Sequence, residues 1–230
     1  MEITFTWNTA NMSGLAAVIP TASKDDVAPV ICGVYIDGRA FTTTDRHAAA
    51  EWAHGGGFAG VDTADTVSGS AGITVPMDAA KWLAKQTLNA LLGAGPARMH
   101  DAAETIEVAV IWPEAEEGKT REDAQLVVRH KDNKEEITSL RFSPTLGGFP
   151  AVSRLFPAGD AEVRPVGEVL LKPAFLKRAS EAAGKVAERE EVVRMKFTDS
   201  GRSARPGPVL FTVASAPAFR YLLQPNILLR

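Results

Sequence analysis

The sequence predicts an α+β fold in which the order strand–helix–strand–strand–strand occurs about three times. Three helical segments are each followed by runs in which apolar and polar residues alternate, the period of antiparallel strands. The three units begin near residues 2, 73 and 167 and have no strict sequence identity to one another. We therefore expect a repeated architecture of antiparallel sheets with few helices.

The first unit opens with an alternating strand at residues 2–7. Asn8 or Thr9 is expected to cap a helix that ends near Pro20. Asp37-Gly38 is typical of a tight hairpin turn between two strands. The remaining strands of this unit are predicted at residues 30–36, 41–44 and 48–53, followed by a loop at 54–57.

In the second unit, strand 73–75 leads into a helix predicted over residues 76–92, for which Pro76 is a favourable first residue. Residues 143–166, rich in proline and glycine, indicate a linker to the third unit. The other strands of the second unit are expected at 106–112, 125–130 and 135–142, separated by an acidic loop at 113–123. The third unit is predicted as strand 167–171, helix 173–187 and strands near 192–198, 207–214 and 218–224.

Composition places the chain among ordinary globular proteins, with 45% hydrophobic and 23% charged residues. No apolar run approaches the roughly 18 residues that span a bilayer, and the N-terminus lacks the pattern of a signal peptide. A single cysteine, Cys32, lies in an apolar strand-like run and excludes a disulfide framework. These features predict a cytoplasmic protein that makes no membrane contact.

The motifs that suggest an enzyme are incomplete. Gly118-Lys119-Thr120 resembles the end of a phosphate-binding loop, but Pro113 stands where that loop requires glycine. His54-Gly-Gly-Gly57 resembles an oxyanion loop, yet the Gly-x-Ser-x-Gly elbow that accompanies it is missing. The four histidines are dispersed. We predict no enzyme, no metal site and no cofactor.

Basic residues on the predicted helices have two interpretations. They are either exposed to solvent on the polar face of an amphipathic helix, or they contact the phosphates of duplex DNA. A net charge of −3 does not decide between them, because a few cations on one surface set the local field. Side chains four residues apart share a helix face, and such contacts carry no sequence preference. The candidate DNA-binding residues are Lys24, Lys81, Lys85, Lys177, Arg178 and Lys185.

Three segments of the sequence resemble the bacterial DNA polymerase III β sliding clamp. The first joins Ile19–Gly33 to Thr43–Ala48, the second is Gly147–Pro157, and the third is the apolar tail Phe219–Arg230. The tail is preceded by the similar runs Val193–Asp199 and Gly207–Thr212. Each motif is weak alone, but the three occur in the family's order with matching helices between them. The resemblance covers nearly the whole chain apart from the acidic loop.

The resemblance implies clamp-type units, with helices lining a ring interior and antiparallel sheets outside. It also implies that the three segments line an apolar groove where DNA polymerase, clamp loader and repair proteins dock short peptides. Gln224 stands where the family usually has methionine, so the groove is expected to be more polar. The groove residues implied by match are Thr44, Arg46, His47, Ala48, Leu155, Pro157, Leu222, Leu223, Gln224 and Pro225.

The chain is shorter than a bacterial clamp subunit, in which three domains of two units each form half of a ring. Residues 1–157 are expected to form one complete clamp domain, resembling the family's middle domain, and 158–230 a half-domain. Three units per chain predict a homotetramer that encircles double-stranded DNA, and a missed fourth unit would give a trimer. Such economy is typical of phage-encoded clamps acting in a bacterial cell. The alternative is a non-encircling peptide-binding adaptor or decoy for replication proteins.

Overall fold

The computed structural model describes residues 1–58, 72–87, 105–113, 124–145, 147–156, 169–189, 191–199 and 206–225. Within these residues lie three α-helices: α1, Thr9–Val18; α2, Met77–Ala84; and α3, Pro173–Gly184. The twelve strands are β1 Glu2–Thr6, β2 Val34–Ile36, β3 Ala40–Thr44, β4 Ala48–Ala53, β5 Gly57–Phe58, β6 Ile73–Val75, β7 Ile106–Ile111, β8 Ala124–His130, β9 Glu136–Phe142, β10 Val193–Asp199, β11 Pro206–Val213 and β12 Phe219–Leu223. The predicted α+β class with antiparallel sheets is confirmed.

The strands form two antiparallel sheets, and the first two units exchange strands between them. One sheet has the order β5-β1-β7-β8-β9 and the other β10-β11-β12-β4-β3-β2-β6. Strand β1 of the first unit therefore pairs with β7 of the second, and β6 of the second pairs with β2 of the first. Because each unit completes the sheet of the other, the two units form one interlocked body.

The third unit joins this body through its last strand. Strand β12 pairs with β4 over five residues, from Phe219 opposite Trp52 to Leu223 opposite Ala48. This pairing makes the seven-stranded sheet continuous from the first unit into the third. Helix α1 contacts both α2 and α3, and one hydrophobic core extends between the helices and the sheets.

Two local features confirm the sequence-based predictions at single residues. The Asn8 side chain caps α1 by accepting a hydrogen bond from the Asn11 backbone N–H at 2.8 Å. At the predicted hairpin turn, the Asp37 carboxylate accepts bonds from the backbone N–H groups of Arg39 and Ala40, each at 2.8 Å. The turn is thus built by the aspartate side chain.

The predicted helices 76–92 and 173–187 are too long. Helix α2 ends at Ala84, where the Lys85 and Gln86 N–H groups bond to carbonyls three residues back. The Trp7 indole N–H donates to the Gln86 carbonyl at 2.7 Å, so a tertiary contact fixes this end. Residues 88–92 of that prediction lie outside the described residues. Helix α3 ends at Gly184.

Two predicted strands also differ in the structure. The strand expected at 30–36 begins only at Val34, because Pro29–Ile31 forms a 3-10 turn; Cys32 follows that turn and lies in no strand. In the strand expected at 167–171, the described residues 169–171 are assigned to no strand. None of the described helices is long and apolar enough to cross a lipid bilayer.

Candidate peptide-binding groove

The fold brings described residues from the three segments of the predicted groove together on the face of the seven-stranded sheet opposite the helices. Strand β12 places Leu222 beside Ala49 of β4, and the Gln224 backbone N–H donates to the His47 carbonyl at 2.9 Å. Strand β11 adds Leu210, which lies opposite Leu222. These apolar residues form the floor of the candidate groove.

The loop that joins β3 to β4 forms one wall. The Asp45 carboxylate accepts bonds from the backbone N–H groups of His47 and Ala48, at 3.0 and 2.8 Å, and the Thr44 hydroxyl donates to the Ala48 carbonyl at 2.7 Å. Arg46 has a φ of 73°, a left-handed conformation that is uncommon for a residue with a side chain. The loop therefore holds Arg46 and His47 exposed at the surface.

The second segment covers the floor, whose residues Ala49, Leu210 and Leu222 are only 4–6% exposed. Val152 and Phe156, only 4% and 7% exposed, form a small hydrophobic cluster with Ala49, Leu210 and Leu222. Leu155 points away from this cluster and is 62% exposed. Pro157 lies outside the described residues. The groove segment thus presents one large apolar side chain to solvent beside a buried apolar cluster.

Aromatic contacts anchor both ends of this covering segment. The Phe149 ring stacks on Tyr35 with centroids 4.7 Å apart and an interplanar angle of 7°. The Arg220 guanidinium lies 4.7 Å from the centre of the Phe156 ring and also forms an ion pair with Glu51. Sequence reasoning did not include Phe156, Leu210 or Arg220. Arg220 lies two residues from Leu222 on β12, so strand alternation could have found it, whereas Leu210 lies on β11 and Phe156 follows a 3-10 turn, and no local pattern marks these two.

Two predicted groove residues face the other way. Leu223 is fully buried and Ala48 is 4% exposed, and both belong to the main core between sheet and helices. Because neighbouring residues on a strand point to opposite faces, Leu222 and Leu223 cannot both line the groove. Pro225 is buried and Gln224 is exposed beside the groove loop.

The groove loop is tied to helix α3. Asp45 forms an ion pair with Arg178 at 2.7 Å, and both side chains are at least partly buried. The His47 ring stacks on Phe175 with centroids 5.6 Å apart, and Arg178 lies 5.0 Å from the centre of that ring. The charge of Arg178 is therefore engaged within the chain, and α3 supports the loop from behind.

The other predicted DNA-binding residues are exposed, and four of the five lie on α2 or α3 or directly after them. Lys81 lies on α2 and Lys85 in the turn that ends it, while Lys177 on α3 makes only a loose ion pair with Glu181 at 3.8 Å. Lys24 is in the loop before β2, and Lys185 follows the last residue of α3.

A separate polar cleft of about 650 Å³ lies near the start of α1. At its base, buried His54 accepts a hydrogen bond from the Gly56 N–H on one ring nitrogen, and its other nitrogen is 2.9 Å from the Asp37 carbonyl. Burial lowers the pKa of His54 to about 4, against the smaller opposing effect of Asp37. Asn11 is likewise bonded to Thr6, His54 and Trp52. This hydrogen-bond network stabilises the fold.

Among the described residues, no group of three or more potential ligands could hold a metal ion.

The fold is that of the bacterial sliding clamp. The structure matches the DNA polymerase III β subunit of Thermotoga maritima with a TM-score of 0.56 and 15% identity, covering 98% of this chain and 66% of that one. The Streptococcus pneumoniae β chain matches with a TM-score of 0.55, 12% identity and coverages of 96% and 63%. For the Pseudomonas aeruginosa sliding clamp the TM-score is 0.54, with 13% identity and coverages of 99% and 66%.

The chain spans about two thirds of the length of these clamps. No family model matches the sequence, and no curated protein matches it. The structure is similar to DNA polymerase III β subunits in fold alone, because the sequence identities are only 12–15%.

Proposed function

We propose that this chain is a DNA sliding clamp, which encircles duplex DNA as a homo-oligomeric ring and tethers DNA polymerase and other replication proteins. The observation that carries the proposal is the fold likeness to β subunits, which extends over 98% of the chain. The clamp performs no chemistry. Its effect is to hold a partner enzyme at the template, so that each rebinding becomes intramolecular at high effective concentration.

The tethering site in this proposal is the groove over Leu222, with Leu155 exposed at its rim. An exposed apolar side chain beside a cluster of apolar residues is the feature that a short linear peptide recognises. The groove loop adds the exposed Arg46 and His47, which can pair with polar or acidic positions of such a peptide. Peptides of DNA polymerase and of a clamp loader are the proposed partners.

The DNA-facing surface in this proposal is the helical side. Lys24, Lys81, Lys85, Lys177 and Lys185 supply exposed positive charge there, while the net charge of the chain is −3. Arg178 is the weakest of the six candidates because Asp45 and Phe175 already hold its guanidinium. Contact through a few exposed lysines gives weak, sequence-independent binding, which suits a ring that slides.

The stoichiometry follows from the units. If twelve units close a ring, as the family resemblance implies, three units per chain require 12/3 = 4 chains, and a fourth unit would require three chains. The proposed division is one complete domain, residues 1–157, and a half-domain, 158–230. The proposed location is the cytoplasm of a bacterial or phage-infected cell, where the replication machinery acts.

The DNA-facing surface is tested by reversing charge on α2. In the double variant Lys81→Glu/Lys85→Glu, we expect weaker binding to duplex DNA and a shallower dependence of log affinity on log salt. The slope should fall by about 1.8, because each lost phosphate contact removes about 0.9. Fluorescence anisotropy of a labelled duplex at several salt concentrations measures this slope.

Arg141→Glu is the matched control, since Arg141 is exposed on β9, away from the three helices. An unchanged slope in the double variant, or an equal loss in Arg141→Glu, would remove α2 from the DNA-facing surface.

A second candidate function is a peptide-binding adaptor that never encircles DNA. The observation that favours it is the length of the match, which spans 66% of the Thermotoga maritima subunit, while the sequence has all three segments that resemble the family's groove. Such an adaptor would bind the same peptides as a monomer. Ring closure therefore distinguishes the two functions.

A further inference from the structure

The pairing of the first two units shows what a single unit lacks. Strand β1 precedes α1 but pairs with β7 of the second unit, and β6 precedes α2 but pairs with β2 of the first. In both units, the strand before the helix is given to the neighbour. The first strand after the helix in turn receives a strand from that neighbour. A unit without a neighbour therefore has one unplaced segment and one open sheet edge.

Among the described residues, the third unit has no such neighbour. Its strand β10 pairs with β11 on one side and with no described strand on the other. The segment before α3, Val169–Leu171, pairs with no described strand, and its backbone makes no hydrogen bond to a described residue. Val169 and Leu171 pack on the core while Leu170 is exposed, the alternation of a strand.

Exposed apolar side chains concentrate around these two elements. Of the seven exposed large hydrophobic residues in the described chain, Leu170, Val192 and Met195 lie on the segment before α3 or at β10, with exposures of 37%, 76% and 40%. An open strand edge flanked by apolar side chains is a surface that another chain covers. What is missing there is the strand that a second unit of the same kind would supply.

We propose that two copies of this chain exchange the Val169–Leu171 segments across a two-fold axis. The segment of each copy adds to the outer edge of β10 in the other, so that two half-domains complete one interlocked domain. A second copy of this chain fits the open edge of β10 because its own Val169–Leu171 segment is unpaired and can supply the missing strand. This inference depends on the strand pairings within the chain and is independent of whether the assembly encircles DNA.

The register of the exchanged pairing follows from the helix caps. The capping residues of α1, α2 and α3 are Asn8, Pro76 and Lys172, so that Trp7, Val75 and Leu171 occupy equivalent positions. Trp7 donates its backbone N–H to the Ile106 carbonyl, and Val75 lies opposite Val34. Ile106 and Val34 are the first residues of β7 and β2, and the first residue of β10 is Val193.

This equivalence sets Leu171 of one copy opposite Val193 of the other. The antiparallel direction then sets Leu170 opposite Arg194 and Val169 opposite Met195. Two apolar pairs face the core, and the exposed leucine covers the aliphatic part of an arginine on the outer face. The exposed Met195 thus gains a partner in the pairing that also buries Leu170.

The exchange restricts the size of the assembly. Each half-domain needs one other, so closed assemblies contain an even number of chains. Two chains bring 2 × 3 = 6 units, and a ring of twelve units then consists of two such pairs. A trimer would leave one half-domain open.

Disulfide trapping between separately prepared variants tests the exchange. Both variants have the substitution Cys32→Ala. One also carries Leu170→Cys and the other Arg194→Cys, so a disulfide between these two introduced cysteines can form only between chains. Directly opposed residues of an antiparallel pair lie within the Cα separation of a disulfide. After equal mixing and mild oxidation, we expect about half of the chains in a covalent dimer near 49 kDa (2 × 24.5), because random mixing makes about half of the pairs mixed.

The matched control replaces Arg194→Cys by Lys196→Cys, on the same face of β10 but two residues out of register. We expect at most a tenth of the covalent dimer with this partner. Equal trapping with both partners, or none with Arg194→Cys, would overturn the exchange. Retention of DNA by the uncrosslinked wild-type protein tests the clamp function separately. If the disulfide-linked dimer forms but the wild type does not retain DNA, only the proposed function is contradicted. If the wild type retains DNA but no disulfide-linked dimer forms, only the exchange is contradicted.

Discussion

At the residue scale, Leu155 is the most informative side chain of the groove. It is 62% exposed, although its neighbours Val152 and Phe156 are almost fully buried against Leu222. Exposing a leucine at the rim of an apolar cluster adds nothing to the stability of the fold. Its position is explained if a peptide side chain packs on it.

We expect Leu155→Ala to weaken the binding of a short fluorescein-labelled peptide with one leucine–phenylalanine pair by about tenfold, since rim apolar anchors contribute about 1–2 kcal/mol. Fluorescence anisotropy gives the affinity. Leu176→Ala, an exposed leucine on α3 that is 39% accessible, serves as the control. The wild-type protein should bind this peptide better than it binds a peptide whose leucine and phenylalanine are replaced by alanine. If that holds and Leu155→Ala leaves the affinity unchanged, the peptide binds elsewhere on the protein.

Part of this site could be predicted from single residues. The family resemblance predicts the apolar tail and the Thr44–Ala48 loop, and the described part of the tail, residues 219–225, lies beside this loop where β12 pairs with β4. The predicted groove position of Leu223 is wrong, because neighbouring residues on β12 point to opposite faces and Leu223 lies in the core. Phe156 and Leu210 were missed because their burial depends on contacts between distant segments, which no local pattern encodes.

At the element scale, the close approach of α1 to β4 holds the inner layer to the seven-stranded sheet. A Cβ atom added at Gly14 would lie 2.1–2.4 Å from the Trp52 ring. The Trp52 indole is fixed in turn by its hydrogen bond to the Asn11 side chain at 2.8 Å. Glycine is therefore required at this position by the packing of the helix on the strand.

Replacing Gly14 by alanine should lower the free energy of unfolding by about 1–3 kcal/mol, because the overpacked ring must shift. Denaturant unfolding followed by circular dichroism measures the change. Gly184→Ala at the end of α3 is the matched control, since no atom lies within 4 Å of its added Cβ. If both variants unfold alike, the contact between α1 and Trp52 is looser than the structure indicates.

The order of elements could be predicted from periodicity, but their ends could not. Alternation of apolar residues located most strands of the three units, but β5 begins in the predicted loop 54–57 and residues 169–171 are assigned to no strand. Helices α2 and α3 stop earlier than the helical patterns indicate. The end of α2 is fixed by the Trp7 indole, 79 residues away in sequence, so its cause is tertiary. The exchange of first strands was equally invisible, because antiparallel edges look alike in sequence.

At the scale of the whole molecule, the chain combines a net charge of −3 with a helical side that carries exposed lysines. In the proposed ring, this arrangement would attract DNA to the helical side while the rest of the surface stays acidic. Ion pairs such as Glu107 with Arg129 and Lys134 hold the strands of the five-stranded sheet together at one end. Although burial alone would raise the pKa of Glu107, its bonds to Lys134 and Arg129 keep that pKa below its usual value.

The most direct test of the central claim is the mass of the assembly in solution, measured by light scattering on a sizing column over a concentration series and combined with electron micrographs of the peak. We expect ring-shaped particles of about 98 kDa (4 × 24.5). A mass of about 74 kDa (3 × 24.5) would retain a ring but contradict both the three-unit count and the exchange of half-domains. A persistent monomer of 24.5 kDa at high concentration would contradict the clamp and favour the adaptor.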